Sequence, residues 1–234
     1  NKQEKNQNIE QEIINRHLVK SGKGRLFCLG PNSGRINFAS QQQRALNLIW
    51  SLLKTEQIRP KFTRVAIIGA GVSGVTAAVA LRGLRCPVEI FEKEDVLMPV
   101  QHATEHRFIH PMINRWPSDS AFSPTTSLPF LNWYVGRCST VVGDIKKAFL
   151  ELQKQNQNEL KLHTNRLVKA FRFVHAPSEG IRLFDDNGSS VGEFDLVIVA
   201  TGFGEESEKN LTGIETVSYW HNDNLPIIRS NRDI

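Results

Sequence analysis

Three glycines at positions 69, 71 and 74, with Glu92 placed 23 positions beyond the first, have the types and spacing to do chemistry. They sit in Val65-Ala66-Ile67-Ile68-Gly69-Ala70-Gly71-Val72-Ser73-Gly74, an apolar run that breaks into Gly-x-Gly-x-x-Gly and then into a segment of helical spacing. In such a strand, turn and helix, Gly69 permits the turn and Gly71 leaves space for a pyrophosphate against the backbone. Gly74 lets the helix approach the strand. Free N–H groups at the helix start, helped by the helix dipole, favour phosphate charge. Glu92 ends a second apolar run, Val88-Glu89-Ile90-Phe91-Glu92, where a carboxylate would accept hydrogen bonds from ribose hydroxyls. The chemistry implied is recognition of an adenine dinucleotide. The competing reading is a glycine turn without a nucleotide, because the glycine pattern alone recurs in unrelated chains.

Other groupings carry less. His102, His106 and His110 recur every four residues and on a helix would align three imidazoles for a metal. Pro111 and the surrounding prolines argue against that helix, so no metal is assigned. Arg107 or His110 could instead meet a phosphate or a cofactor ring edge; a solvated loop charge is the alternative. No nucleophile elbow is present, since Gly71-Val72-Ser73-Gly74 belongs to the glycine loop. Tyr219 and Trp220 are an aromatic pair with no assigned role.

The elements that must position these residues follow from hydrophobic patterning. Residues 1–20 place Ile9, Ile13, Ile14 and Leu18 at helical spacing, which predicts a frayed amphipathic helix that needs a partner surface. Leu26 to Leu29 and Ile36 to Phe38, separated by Gly30-Pro31-Asn32-Ser33-Gly34, read as a β-hairpin. A strong helical stripe then runs from Ala45 to Leu53, capped by Ser40. After Glu92, the stretch from Lys93 to Cys138 holds five of the ten prolines, so long regular elements are not expected there. Its aromatics argue against disorder and for an ordered covering. A helix over 141–152 follows, then a strand at 160–163. Three antiparallel runs come next, at 167–174, 181–184 and 191–194, with a turn at Asp185-Asp186-Asn187-Gly188. The last strand, Leu196 to Ala200, ends in Thr201-Gly202. The fold class expected is therefore α/β: a doubly wound, Rossmann-like parallel sheet with a β-meander crossover and an N-terminal hairpin-plus-helix appendage. The domains expected are 1–60, the appendage, and 61–234, the dinucleotide-binding domain with strand order 3-2-1-4.

Composition sets outer bounds. A chain of 234 residues with 40% apolar residues can form a real core. The net charge of +5 has its source in residues 1–60, which carry ten Lys/Arg against four Asp/Glu, while residues 61–234 carry 19 against 20. An excess this small is more typical of a solvated surface than of a nucleic-acid face. Three cysteines, Cys28, Cys86 and Cys138, lie far apart without C-x-x-C spacing, as in reduced thiols of a cytoplasmic protein. No run approaches a membrane span, and the polar start lacks the apolar core of a signal peptide.

Taken together, Gly69, Gly71 and Gly74 with Ala78, Glu92 followed by Lys93, and Ala200-Thr201-Gly202 after the meander resemble a known family. It is the FAD-binding domain of two-dinucleotide-binding-domain flavoprotein oxidoreductases. The resemblance covers residues 64–204 and implies FAD as cofactor, with NAD as the alternative. It implies that Gly69, Gly71, Ser73 and Gly74 hold the pyrophosphate, Glu92 the adenosine ribose, and the Val168 backbone the adenine. Thr201 and Gly202 would line the crevice. Lys93 after Glu92 fits an unphosphorylated ribose, and Arg107 of the covering stretch is a candidate contact for a phosphate or the flavin edge. In such flavoproteins a later strand ending in Gly-Asp stands near the flavin ribityl chain. No such motif follows Gly202, so the expectation is part of a longer enzyme or a reduced form with an open flavin half-site. Two functions remain open: the FAD-binding portion of an oxidoreductase, or a non-catalytic dinucleotide sensor or assembly component, with the N-terminal appendage as the expected surface for a protein partner.

Overall fold

A computed structural model describes residues 2–19, 25–30, 37–102, 107–175 and 179–202. In chain order the elements are α1 (Lys2–His17), β1 (Leu26–Cys28), α2 (Phe38–Lys54), β2 (Val65–Ile68), α3 (Val72–Gly83), β3 (Val88–Phe91), α4 (Pro99–His102), β4 (Phe108–Ile109) and β5 (Gly136–Arg137). They continue with α5 (Cys138–Gln155), β6 (Leu160–His163), β7 (Val168–Val174), β8 (Gly180–Asp185), β9 (Ser190–Phe194) and β10 (Leu196–Val199).

Alternation along the short strands dictates a layered structure, because successive side chains point to opposite faces. Val65, Ile67, Val88, Ile90, Leu196 and Ile198 enter one core, shared with the apolar faces of α2, α3 and α5. Ala66, Phe91 and Val197 enter a second core, shared with Ile181, Leu183 and Phe194 of the meander β7–β8–β9. Helices thus cover one face of the sheet and the meander the other, and the central strands β2 and β10 are buried on both faces, whereas the edge strand β6 exposes Lys161.

The sheet order is β1-β10-β2-β3-β6, and every pair is parallel. Its last four strands reproduce the expected 3-2-1-4 order. The fifth is a correction. Leu26–Cys28 does not form a hairpin arm but joins the edge beside β10, with Leu26, Phe27 and Cys28 in register with Val197, Ile198 and Val199. Of the other expected arm, Ile36 lies outside the described residues, while Phe38 opens α2. The reason is burial: Leu26 and Phe27 face the two cores of the sheet, 2% and 0% exposed, which a detached hairpin could not provide. The cap also moves. Asn37 is the N-cap of α2, its side chain accepting the Ser40 N–H at 2.7 Å, and Ser40 Oγ accepts the Asn37 N–H at 2.9 Å, completing a capping box. On α1, Ile14 is buried in the larger core and Leu18, just past the helix end, packs against it, so the C-terminal part of this stripe finds its surface within the chain while Ile9 stays exposed. That core runs across the expected boundary at residue 60 without a break.

Candidate functional site

The carboxyl ends of β2, β3 and β10 open into a cavity of about 510 Å³, within the range usual for cofactor sites. Its floor is the glycine turn. Gly69 has φ +102°, and a Cβ there would meet the Ala200 carbonyl oxygen at 2.6 Å, so both turn and close approach demand glycine. That approach is held by the Gly69 N–H donating to the Phe91 carbonyl at 2.8 Å and the Ala200 N–H to the Ile68 carbonyl at 2.7 Å. A Cβ on Gly74 would lie 2.1 Å from the Gly69 carbonyl oxygen, so this glycine sets how closely α3 docks. Gly71 differs: a Cβ there would meet nothing nearer than 4.0 Å, because the position faces the cavity. As N-cap of α3 it provides no side-chain hydrogen bond, which leaves first-turn N–H groups without intrahelical partners at the cavity floor. Ser73, in that first turn, is 6% exposed, lines the cavity, and its hydroxyl makes no hydrogen bond among the described residues.

Glu92 is 5% exposed. Its carboxylate accepts the Ala70 N–H at 2.7 Å and the Glu94 N–H at 3.1 Å, tying the end of β3 to the glycine turn. Beside it, the Arg166 N–H donates to the Glu92 carbonyl at 2.8 Å. The Arg166 guanidinium meets the buried Asp185 carboxylate at 3.1 Å, fixing the start of β7 where Val168 pairs with Asp185. Lys93 lies at the rim and pairs with Glu94 at 3.7 Å.

The stretch expected to cover the site does so. The Met98 N–H donates to the Ala70 carbonyl at 2.9 Å, anchoring its start over the glycine turn. Its end is tied to α2: Trp133 Nε1 donates to Gln42 Oε1 at 2.8 Å, Gln42 Nε2 donates to the Leu131 carbonyl at 3.1 Å, and Trp133 meets Phe38 edge-on at 5.7 Å. β4, between these anchors, pairs with β5, just beyond the second, and brings Arg107 to Cys138, whose N–H donates to the Arg107 carbonyl at 2.8 Å. Burial pushes the Cys138 thiol above its ordinary pKa, with the Arg107 charge acting weakly the other way.

Of the residues singled out in the sequence, Gly69, Gly71, Ser73, Glu92, Lys93, Arg107, Val168, Thr201 and Gly202 all line this cavity. Gly74 lies beneath the turn instead. His110 also lines it, with Nδ1 accepting the Met112 N–H at 3.2 Å. The side chain of His102, and His106, fall outside the described residues, as do Tyr219 and Trp220. Among the described residues no His, Cys, Asp and Glu cluster could hold a metal. Sequence reasoning missed the wall made by Asn37, Phe38 and Gln41 on α2, together with Trp133, Cys138 and Arg166. Asn37 and Ser40, three apart ahead of an apolar stripe, are the signal that could have placed the start of α2.

A model of the Pyridine nucleotide-disulphide oxidoreductase family matches residues 64–108, from the start of β2 through the glycine turn and Glu92 into the cover. The family match bears out the sequence resemblance over this segment, and supports dinucleotide binding there. A search of curated protein sequences gave no match. Among solved structures, a NAD-dependent persulfide reductase from A. fulgidus is 19% identical, with TM-score 0.36, over 65% of this chain and 19% of that one. A water-forming NADH oxidase from Lactobacillus brevis, bound to NADH, is 15% identical, with TM-score 0.40, over 80% of this chain and 28% of that one. A pyridine nucleotide-disulfide family oxidoreductase from Enterococcus faecalis V583 is 20% identical, with TM-score 0.34, over 60% of this chain and 22% of that one. The chain therefore spans less than a third of the length of these solved chains.

Proposed function

We propose that this chain is the FAD-binding portion of a flavin-dependent oxidoreductase. The observation that carries the reading is the convergence on one cavity of the glycine turn after β2, Glu92 after β3, Val168 on β7 and Thr201-Gly202 after β10. The residues present fit a dinucleotide: the space that a Cβ on Gly71 would fill is open, the start of α3 has no side-chain cap, and the Ser73 hydroxyl beside it has no partner among the described residues.

In this reading the α3 N-terminus and Ser73 bind the pyrophosphate. Glu92 accepts from the adenosine ribose with lone pairs its two backbone donors leave open, and the Val168 backbone meets the adenine. Lys93 and Arg107 add positive charge at the rim. Thr201 and Gly202 line the crevice, and the cover held by Met98 and Trp133 limits water. A flavin bound here supplies hydride or electron transfer, while the protein supplies orientation and electrostatics. NAD is the alternative occupant, in which case the chain is a non-catalytic dinucleotide module. No described helix is long and apolar enough to cross a membrane. The described cysteines are all unpaired, in keeping with a cytoplasmic location.

The test is the absorption spectrum of the purified chain between roughly 350 and 500 nm, where flavin itself absorbs, before and after incubation with FAD. Bound yellow cofactor is expected. A colourless protein that takes up NAD but not FAD would replace this reading with the dinucleotide module.

A further inference from the structure

We propose that Gln41, on the helix preceding the glycine-turn strand, binds the half of the dinucleotide distal to adenosine, meeting its hydroxyl-bearing chain. The inference rests on the dinucleotide reading above and adds to it a binding residue from a part of the chain outside the family match.

The argument starts from strand order. Going from β3 to β2 to β10 to β1, the sheet presents first Glu92, then the glycine turn, then Thr201-Gly202, and last the edge strand that leads towards α2. Neighbouring strands are about 4.8 Å apart, so these groups form a row along the carboxyl edge of the sheet. A dinucleotide with its ribose at Glu92 and its pyrophosphate at the turn has one direction left in which to extend, towards β10 and β1. The wall met there is α2. Asn37, Phe38 and Gln41 are spaced as neighbours on one helix face, and all three line the cavity. Asn37 is committed to its capping box and Phe38 to the edge of Trp133. Gln41 is half-buried, and its amide makes no hydrogen bond among the described residues.

A second, independent group marks the same cavity as built for a polar ligand: Ser73 of α3, 6% exposed, lines it, and its hydroxyl has no partner among the described residues. An amide that both donates and accepts matches a chain of hydroxyls, whereas phosphate would select a cation or a row of N–H groups. The nearby Gln42, on another face of the same helix, is consumed by Trp133 and Leu131. Two adjacent glutamines therefore divide the work, one holding the cover and one facing the ligand.

The experiment compares FAD with ADP, which carries the adenosine and pyrophosphate but lacks the distal half, by calorimetry on the full chain. In Gln41→Ala, FAD should bind about three- to tenfold more weakly, the effect of one lost hydrogen bond, with ADP affinity within about twofold of wild type. Gln41→Glu, which keeps the length and loses the amide donors, should show the same selective loss. Ser73→Ala should weaken both ligands. Unchanged FAD affinity in both Gln41 variants, or equal weakening of ADP, overturns the proposal. If the wild type binds neither ligand, the dinucleotide reading fails and takes this proposal with it. A Gln41 variant with a lowered melting temperature that still distinguishes the ligands supports it, since a folding defect would weaken both alike.

Discussion

Each glycine of the turn does a different physical task, and substitution can separate them. Gly74→Ala puts a Cβ 2.1 Å from a backbone oxygen. It should cost about 3 kcal/mol or more of folding stability, at or above the upper end of overpacking, measured by urea denaturation. Gly71→Val meets open space at a φ of −68°, so folding should change by less than about 1 kcal/mol while dinucleotide affinity falls at least about tenfold. A Gly71→Val protein that unfolds early, or binds normally, would contradict this division. Glu92 has two tasks at once. Glu92→Ala removes the acceptor of two backbone N–H groups as well as the ribose partner. It should therefore lower both stability and affinity, each by about 1–3 kcal/mol, read by denaturation without ligand and calorimetry with it.

Among the elements, the cover and α2 behave as one unit because a fully buried glutamine joins them. Gln42→Leu fills similar volume but leaves the Trp133 indole N–H and the Leu131 carbonyl without their partner. A loss of about 1–3 kcal/mol and a red-shifted tryptophan emission are expected; a stable variant with unchanged emission would show that the cover is held by packing alone. Helix α1 carries a pH dependence. Burial lowers the pKa of His17 from its usual 6.5, assisted by the charges of Arg44 and Arg16 and opposed by the hydrogen bond from its ring to the Ile13 carbonyl. The unfolded chain therefore binds the proton more readily, and stability should decline as pH falls below about 6.5. The protection of α1 amides, taken relative to their intrinsic exchange rate at each pH, should fall over that interval in the wild type and lose this component in His17→Gln.

For the whole molecule, the place of β1 in the sheet beside β10 predicts that the chain unfolds in one step. Phe27 is fully buried in the core that α2, α3 and α5 share. Phe27→Ala should cost about 3–5 kcal/mol and lower a single melting transition followed by both circular dichroism and tryptophan fluorescence. Two resolved transitions, with only the first displaced, would mean that the N-terminal segment folds as a separate unit despite its place in the sheet.

The glycine turn, Glu92 and the parallel strand order were legible in the sequence because their signals are local. A turn requiring positive φ selects glycine, and strands buried on both faces read as unbroken apolar runs. The meander was equally legible from its hairpin turn, where the Asp185 carboxylate accepts the Asn187 and Ser189 N–H groups at 3.1 and 2.8 Å. What the sequence could not assign was the destination of Leu26-Phe27-Cys28. Three apolar residues before a Gly-Pro turn satisfy a hairpin and a parallel edge strand equally well, and only tertiary packing chooses between them. That choice placed β1 beside β10, brought the first turn of α2 over the cavity and turned Gln41 into part of its wall. Local residue chemistry thus specified the turn and the acidic strand end, whereas long-range pairing, which depends on total buried area, decided what faces them.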